Sequence, residues 1–147
     1  MNIGLFFILM VLALNSYGMP ASLVTPQEVE ASANAVAVLR TKYVPDKDSP
    51  RIELVEPSLA GPISSPTSIQ LSFLASAPAT IVLSTFKVLY GAFQIDITDR
   101  LLAAAQVSSK GLHVAEATLP SGQHKMHLWI EDSLGRKGYR LIEFQIK

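Results

Sequence analysis

The hydrophobic pattern of this chain changes period twice. Ile3 to Leu14 is an almost unbroken apolar run, IGLFFILMVLAL, and no charged side chain precedes Glu28. A helix of this length, at about 1.5 Å per residue, reaches roughly 18 Å, short of the ~30 Å of a bilayer core. The run matches the apolar stretch of a secretory leader. Asn15 interrupts it, and Ser16 and Gly18 set small residues at the −3 and −1 positions of a cut after Gly18. We therefore expect a signal peptide over 1–18, although its only positive charge is the terminal amine. The alternatives are an uncleaved anchor and a buried N-terminal helix. The chain is expected to be periplasmic or secreted, with a membrane link only through an uncleaved signal.

The next stretch has a helical period. Thr25, Pro26 and Glu28 stand as N-cap, first helical residue and capping-box acid, and the Ala-rich stretch to about Lys42 contains no glycine. Val29, Ala33, Val36 and Ala37 share one face at i, i+4, i+7 and i+8. That face is narrow, so the helix either lies lightly on the rest of the molecule or docks a partner. Tyr43 to Pro50, with two prolines and the alternating charges Asp46, Lys47 and Asp48, reads as a linker. Residues 19–49 are thus a short helix and linker.

From Pro50 the period becomes two. Expected strands cover 52–55, 68–75, 86–90, 92–98, 112–119, 123–131 and 139–146, and Asp99 to Ala105 reads as a short helical turn capped by Asp99. In the sixth strand Met126, Leu128 and Ile130 point one way, and Lys125, His127, Trp129 and Glu131 the other. In the seventh, Ile142, Phe144 and Ile146 oppose Leu141, Glu143 and Gln145. One greasy and one mixed face per strand is the requirement of two packed sheets. Residues 50–147 suit an antiparallel β-sandwich of about seven strands, the size of an immunoglobulin-like domain.

One segment carries a family resemblance. Gly122, His124, Met126, Leu128, Ile130, Asp132, Gly135 and Arg136 form a late-strand pattern that resembles bacterial immunoglobulin-like domains. Phe86, Val88, Phe93, Ile95, Asp96, Ile97 and Thr98 look like an earlier strand–loop–strand section of the same families. The resemblance spans roughly 50–147 and implies the sandwich fold and export from a bacterium. It is nearly silent on function, since such modules host unrelated roles.

Composition narrows the function classes. With 12 Lys+Arg against 12 Asp+Glu the formal charge is zero, which argues against nucleic acid as a partner. With no cysteine there are no disulfides, no thiol nucleophile, no Cys-based zinc site and no lipobox.

Candidate chemistry is thin. Of the three histidines, His124 and His127 leave a strand on opposite faces, a poor chelating arrangement, and His124 reads as a packing residue at a strand start. The pair Asp96 and Asp99 flanks a strand end rather than a cleft. Calcium, which related sandwiches bind at domain ends, would draw on Asp46, Asp48, Asp96, Asp99 and Asp132. Lys47 and Arg100 intrude on that set, and no Asp-x-Asp-x-Asp run occurs. No hydrolase, zincin or nucleotide-binding motif is present. We expect no catalytic residue, no metal and no cofactor.

What remains is an amphipathic patch. Trp129, expected to face outward, would lie beside Tyr139 and Leu141, with Lys125, His127 and Arg140 nearby and Tyr90 as an extension. Either the 26–42 helix covers Trp129, or the patch meets a protein, or it stacks on a sugar ring. The function expected is a non-catalytic interaction or structural module of the cell envelope with a protein partner. The alternatives are a polysaccharide-binding module using the aromatic patch and, further off, a small hydrolase with an unrecognised site.

Overall fold

The computed structural model describes residues 21–36 and 43–147. The leader expected over 1–18 lies outside the described residues, as does 37–42, the end of the expected helix. Among the described residues no helix is long and apolar enough to cross a membrane.

The alternating segments pair into two sheets. In chain order the elements are β1 (Ala21–Ser22), α1 (Pro26–Asn34), β2 (Arg51–Glu56), β3 (Thr67–Leu74), β4 (Ile81–Tyr90), β5 (Ile95–Asp96), α2 (Thr98–Ala104), β6 (Gln106–Ser108), β7 (Gly111–Thr118), β8 (Gly122–Asp132) and β9 (Lys137–Ile146). One sheet runs β2–β3–β7, with β6 and the parallel β1 both pairing with β7. The other runs β5–β4–β8–β9 and is antiparallel throughout. This is the expected mainly β architecture of two packed sheets, antiparallel apart from β1, and it is compatible with an immunoglobulin-like sandwich.

The inward faces meet as the alternation requires. Ile52, Ile69, Leu71, Phe73, Leu112 and Val114 of the first sheet join Phe86, Val88, Met126, Leu128, Ile130 and Ile142 of the second in one apolar core. The Phe73 and Phe86 rings, 5.1 Å apart, contribute directly to this core.

Several local expectations are corrected. The strand expected over 92–98 shrinks to β5, because Gly91 and Gln94 take positive φ (68° and 50°) and turn the chain. That turn leaves Phe93 63% exposed. β4 begins at Ile81 rather than Phe86 and slips register against β8 between Val82 and Lys87. There the Thr85 hydroxyl accepts from Glu131 N at 2.8 Å and mends the broken ladder. The side-chain bond at the start of α2 comes from Asp96, which accepts from Thr98 N at 2.9 Å, and Asp99 sits inside the first turn.

α1 keeps its expected start and loses its expected length. Glu28 N donates to Thr25 Oγ1 at 3.2 Å, and Thr25 N donates to Glu28 Oε2 at 2.8 Å. The helix then stops at Asn34, since Ala35 is extended. Of the face Val29, Ala33 and Val36, only Val29 is buried, and Val36 is 86% exposed. The helix nevertheless has a firm seat. Ser32 Oγ accepts from Ala92 N, Glu28 pairs with Arg100 at 2.9 Å, and Val29 closes on Gly122, where an added Cβ would lie 3.1 Å from it. α1 therefore packs where β4 ends and β8 begins.

Candidate functional site

The outward face of β4–β8–β9 is built by register. Lys87, Trp129 and Tyr139 form one cross-strand row, and Leu89, His127 and Leu141 form the next. Lys125 and Glu143 extend the face with an exposed ion pair at 2.7 Å. The expected neighbours Trp129, Tyr139, His127 and Leu141 are thus brought together.

Their side chains make a connected aromatic row. The Trp129 and Tyr139 ring centroids are 4.5 Å apart, and His127 stacks on Tyr139 at 6.0 Å. His127 Nδ1 lies 2.8 Å from the Tyr139 hydroxyl. Burial pushes the Tyr139 phenol up, opposed by Lys125 and assisted by Glu143, so it stays protonated and can donate to that nitrogen. Leu141 is the exposed apolar member of the face, at 40%.

Two residues expected on this patch are elsewhere. Arg140 pairs in register with Leu128, on the inward phase of β9, and its guanidinium donates to Ile52 O of β2 at 3.2 Å. It ties the open edges of the two sheets together. Tyr90 is fully buried in the core and does not extend the patch.

Among the described residues, Tyr43, in the segment read as a linker, packs on Trp129, while 37–42, the end of the helix weighed as its cover, lies outside them. The Tyr43 ring lies 5.1 Å from Trp129 and meets Tyr139 edge-on at 6.3 Å. Its hydroxyl donates to Lys137 O at 3.0 Å. Sequence reasoning missed Tyr43 because a lone aromatic between charges and prolines belongs to no period. Its one local signal is that it is the aromatic of the linker.

The three histidines lie apart. His124 is buried, with Nδ1 3.0 Å from the Tyr90 hydroxyl and Nε2 2.8 Å from Pro120 O. A carbonyl only accepts, so Nε2 carries the proton and Tyr90 donates to Nδ1. Burial lowers the His124 pKa below 6.5 against the opposing pull of the Pro120 carbonyl, and it raises the Tyr90 pKa to about 12. This pair is a packing element, as expected for His124. His113 lies on the other sheet, against Ser68. Among the described residues, no three of His, Asp and Glu gather as metal ligands.

The carboxylates set aside for calcium have local work. Asp132 accepts from Leu134 N, Arg136 N and Arg136 Nε, closing the β8–β9 turn. Burial pushes its pKa up, but these bonds and the guanidinium outweigh it and hold it below the usual range. Asp96 is likewise lowered, first by its bonds to Thr98.

No family model, no curated protein and no solved structure matches this chain.

Proposed function

We propose that this chain is a non-catalytic, exported interaction module of the bacterial cell envelope, and that the outward β4–β8–β9 face meets a protein partner. The observation that carries the reading is the aromatic row Trp129–Tyr139–His127 lying beside the exposed Leu141. Rigid aromatics beside an apolar side chain, bordered by a charged pair, are the composition of protein contact surfaces. The leader-like N-terminus and the resemblance to bacterial immunoglobulin-like domains support export. The sugar-stacking alternative at Trp129 is less well supported, because Tyr43 already packs against that indole.

A photo-crosslinking amino acid placed at Leu141, expressed in the native organism, tests the reading. The expected result is one discrete adduct in the envelope fraction, absent when the crosslinker sits at Gln70 on the opposite sheet. The purified partner should then bind wild type at least tenfold more tightly than Leu141→Asp, the order of effect of truncating an interface anchor, about 1–2 kcal/mol. Equal binding by the folded Leu141→Asp variant would remove this face from the account.

A further inference from the structure

The opposite face of the sandwich carries a second feature, a shallow hollow of about 380 Å³ across β3, β7 and β6. Register sets its walls. Gln70, His113 and Gln106 form one cross-strand row, and Ser72, Gly111 and Ser108 form the next. The phase is outward, because Leu71, Leu112 and Val114 between these residues are buried in the core.

Gly111 makes the hollow possible. A Cβ there would lie 2.1 Å from Leu71 O, so the approach of the β3 backbone excludes every side chain. The second row is consequently bare at its centre, and a glycine inside a strand leaves backbone open to a ligand. The two rows supply polar groups, and the apolar Leu71, Val107 and Leu112 line the hollow between them. Among the described residues, neither the Gln70 nor the Gln106 amide is engaged by another protein group. The Ser68 hydroxyl lies 3.2 Å from His113 Nε2, which orients the imidazole. Lys110 is the one lysine or arginine lining the hollow, and no carboxylate lines it.

We infer that this hollow is a binding site for a neutral oligosaccharide. Two carboxamides, one on each side of an oriented imidazole, offer paired donors and acceptors, the complement of vicinal hydroxyls. One cation among uncharged groups fits a polyhydroxylated neutral ligand better than a phosphate or polyanion, which calls for several charge-assisted bonds. An open, one-sided hollow suits a chain ligand that passes across it. The size lies within the roughly 300–1,000 Å³ of small-molecule sites. The site is independent of the Trp129 face, and its binding stands or falls apart from any protein partner there.

The test is an array of neutral glucan, xylan and chitin oligosaccharides probed with the purified chain, followed by calorimetry on the best ligand. Gln70→Ala/Gln106→Ala should weaken binding by about tenfold or more, as expected for losing two hydrogen bonds. Trp129→Ala should leave it within about twofold, and raising salt from about 0.1 to 0.5 M should do the same. Circular dichroism of the double variant shows whether its fold is intact. Four results overturn the inference: no neutral oligosaccharide bound at millimolar concentration; unchanged affinity in the folded double variant; loss on Trp129→Ala; or collapse of binding with salt, which marks an anion held by Lys110.

Discussion

Tyr43 covers Trp129, with ring centroids 5.1 Å apart, and so a residue of the segment leading into the sandwich finishes the aromatic row of its second sheet. Because Trp129 is the one tryptophan of the chain, its fluorescence reports this contact directly. Tyr43→Ala should shift the emission to longer wavelength and increase quenching by acrylamide. Loss of an aromatic pair of this kind costs about 0.5–1.5 kcal/mol beyond area, and since Tyr43 is 37% exposed the loss of stability should fall at the low end. An unchanged spectrum would show that the ring does not cover the indole in solution.

The buried Tyr90–His124 pair gives stability a pH dependence of known sign. The folded-state pKa of His124 is lowered from 6.5, so the unfolded chain binds the proton more readily. Stability from this group is complete above about 6.5, and declines as pH falls from there toward the folded value. Urea unfolding of wild type at a series of pH values should show the decline, and His124→Gln should flatten it. If the slope survives the substitution, another group is its source.

Tyr90→Phe removes the hydroxyl that donates to His124 Nδ1 and, among the described residues, leaves that buried acceptor unsatisfied. The expected cost is about 1–3 kcal/mol, more than the deleted bond alone contributes. Chemical denaturation measures it, and a neutral result would mean that water replaces the hydroxyl.

α1 depends on its first turn, because Val29 is its one buried side chain. Thr25→Ala deletes the cap and should cost about 1 kcal/mol, concentrated in the helix. Hydrogen exchange should quicken at α1 amides while β8 stays protected. Glu28→Gln, which removes the charge facing Arg100 across a partly exposed pair, should cost less, about 0.2–1 kcal/mol. Uniformly faster exchange over β8 after Thr25→Ala would show that the helix and the sandwich unfold as one unit.

The β8–β9 turn rests on Asp132. Asp132→Ala removes three hydrogen bonds and should lower Tm clearly. Asp132→Asn keeps a carbonyl acceptor for the two backbone N–H groups and should fall between the variant and wild type. The folded pKa is depressed below 3.8, so this contribution is present above that value and is lost as pH falls through the folded one. Calorimetry at neutral and acid pH separates the cases. Wild-type Tm in Asp132→Ala would assign the turn to Gly135 and the backbone alone.

Much of the sandwich was legible before any coordinates, because a strand with one buried face must alternate, and alternation is local. Met126, Leu128 and Ile130 pointing inward, with His127 and Trp129 outward, followed from period two alone. The capping box of α1 was equally readable, since Thr25 and Glu28 are three residues apart. Where irregularity entered, local reading failed. The slip between Val82 and Lys87 hid the first half of β4, and the turn at Gly91–Gln94 dissolved most of the expected fourth strand. β1 and β6 are too short to show a period, and only the unpaired edge of β7 makes them strands.

The sequence by itself determined the class of the fold, the inward residues of its regular strands, and the neighbourhood of Trp129, His127, Tyr139 and Leu141. Tertiary structure alone decided what surrounds them. It assigned Tyr43 to the indole, put Arg140 against Ile52 O, and buried Tyr90 on His124. It also set Gln70 and Gln106 on either side of His113. The reason is range: strand periodicity is set by the backbone over a few residues, whereas these contacts join segments far apart in the chain and exist only once two sheets have chosen their register and closed on each other.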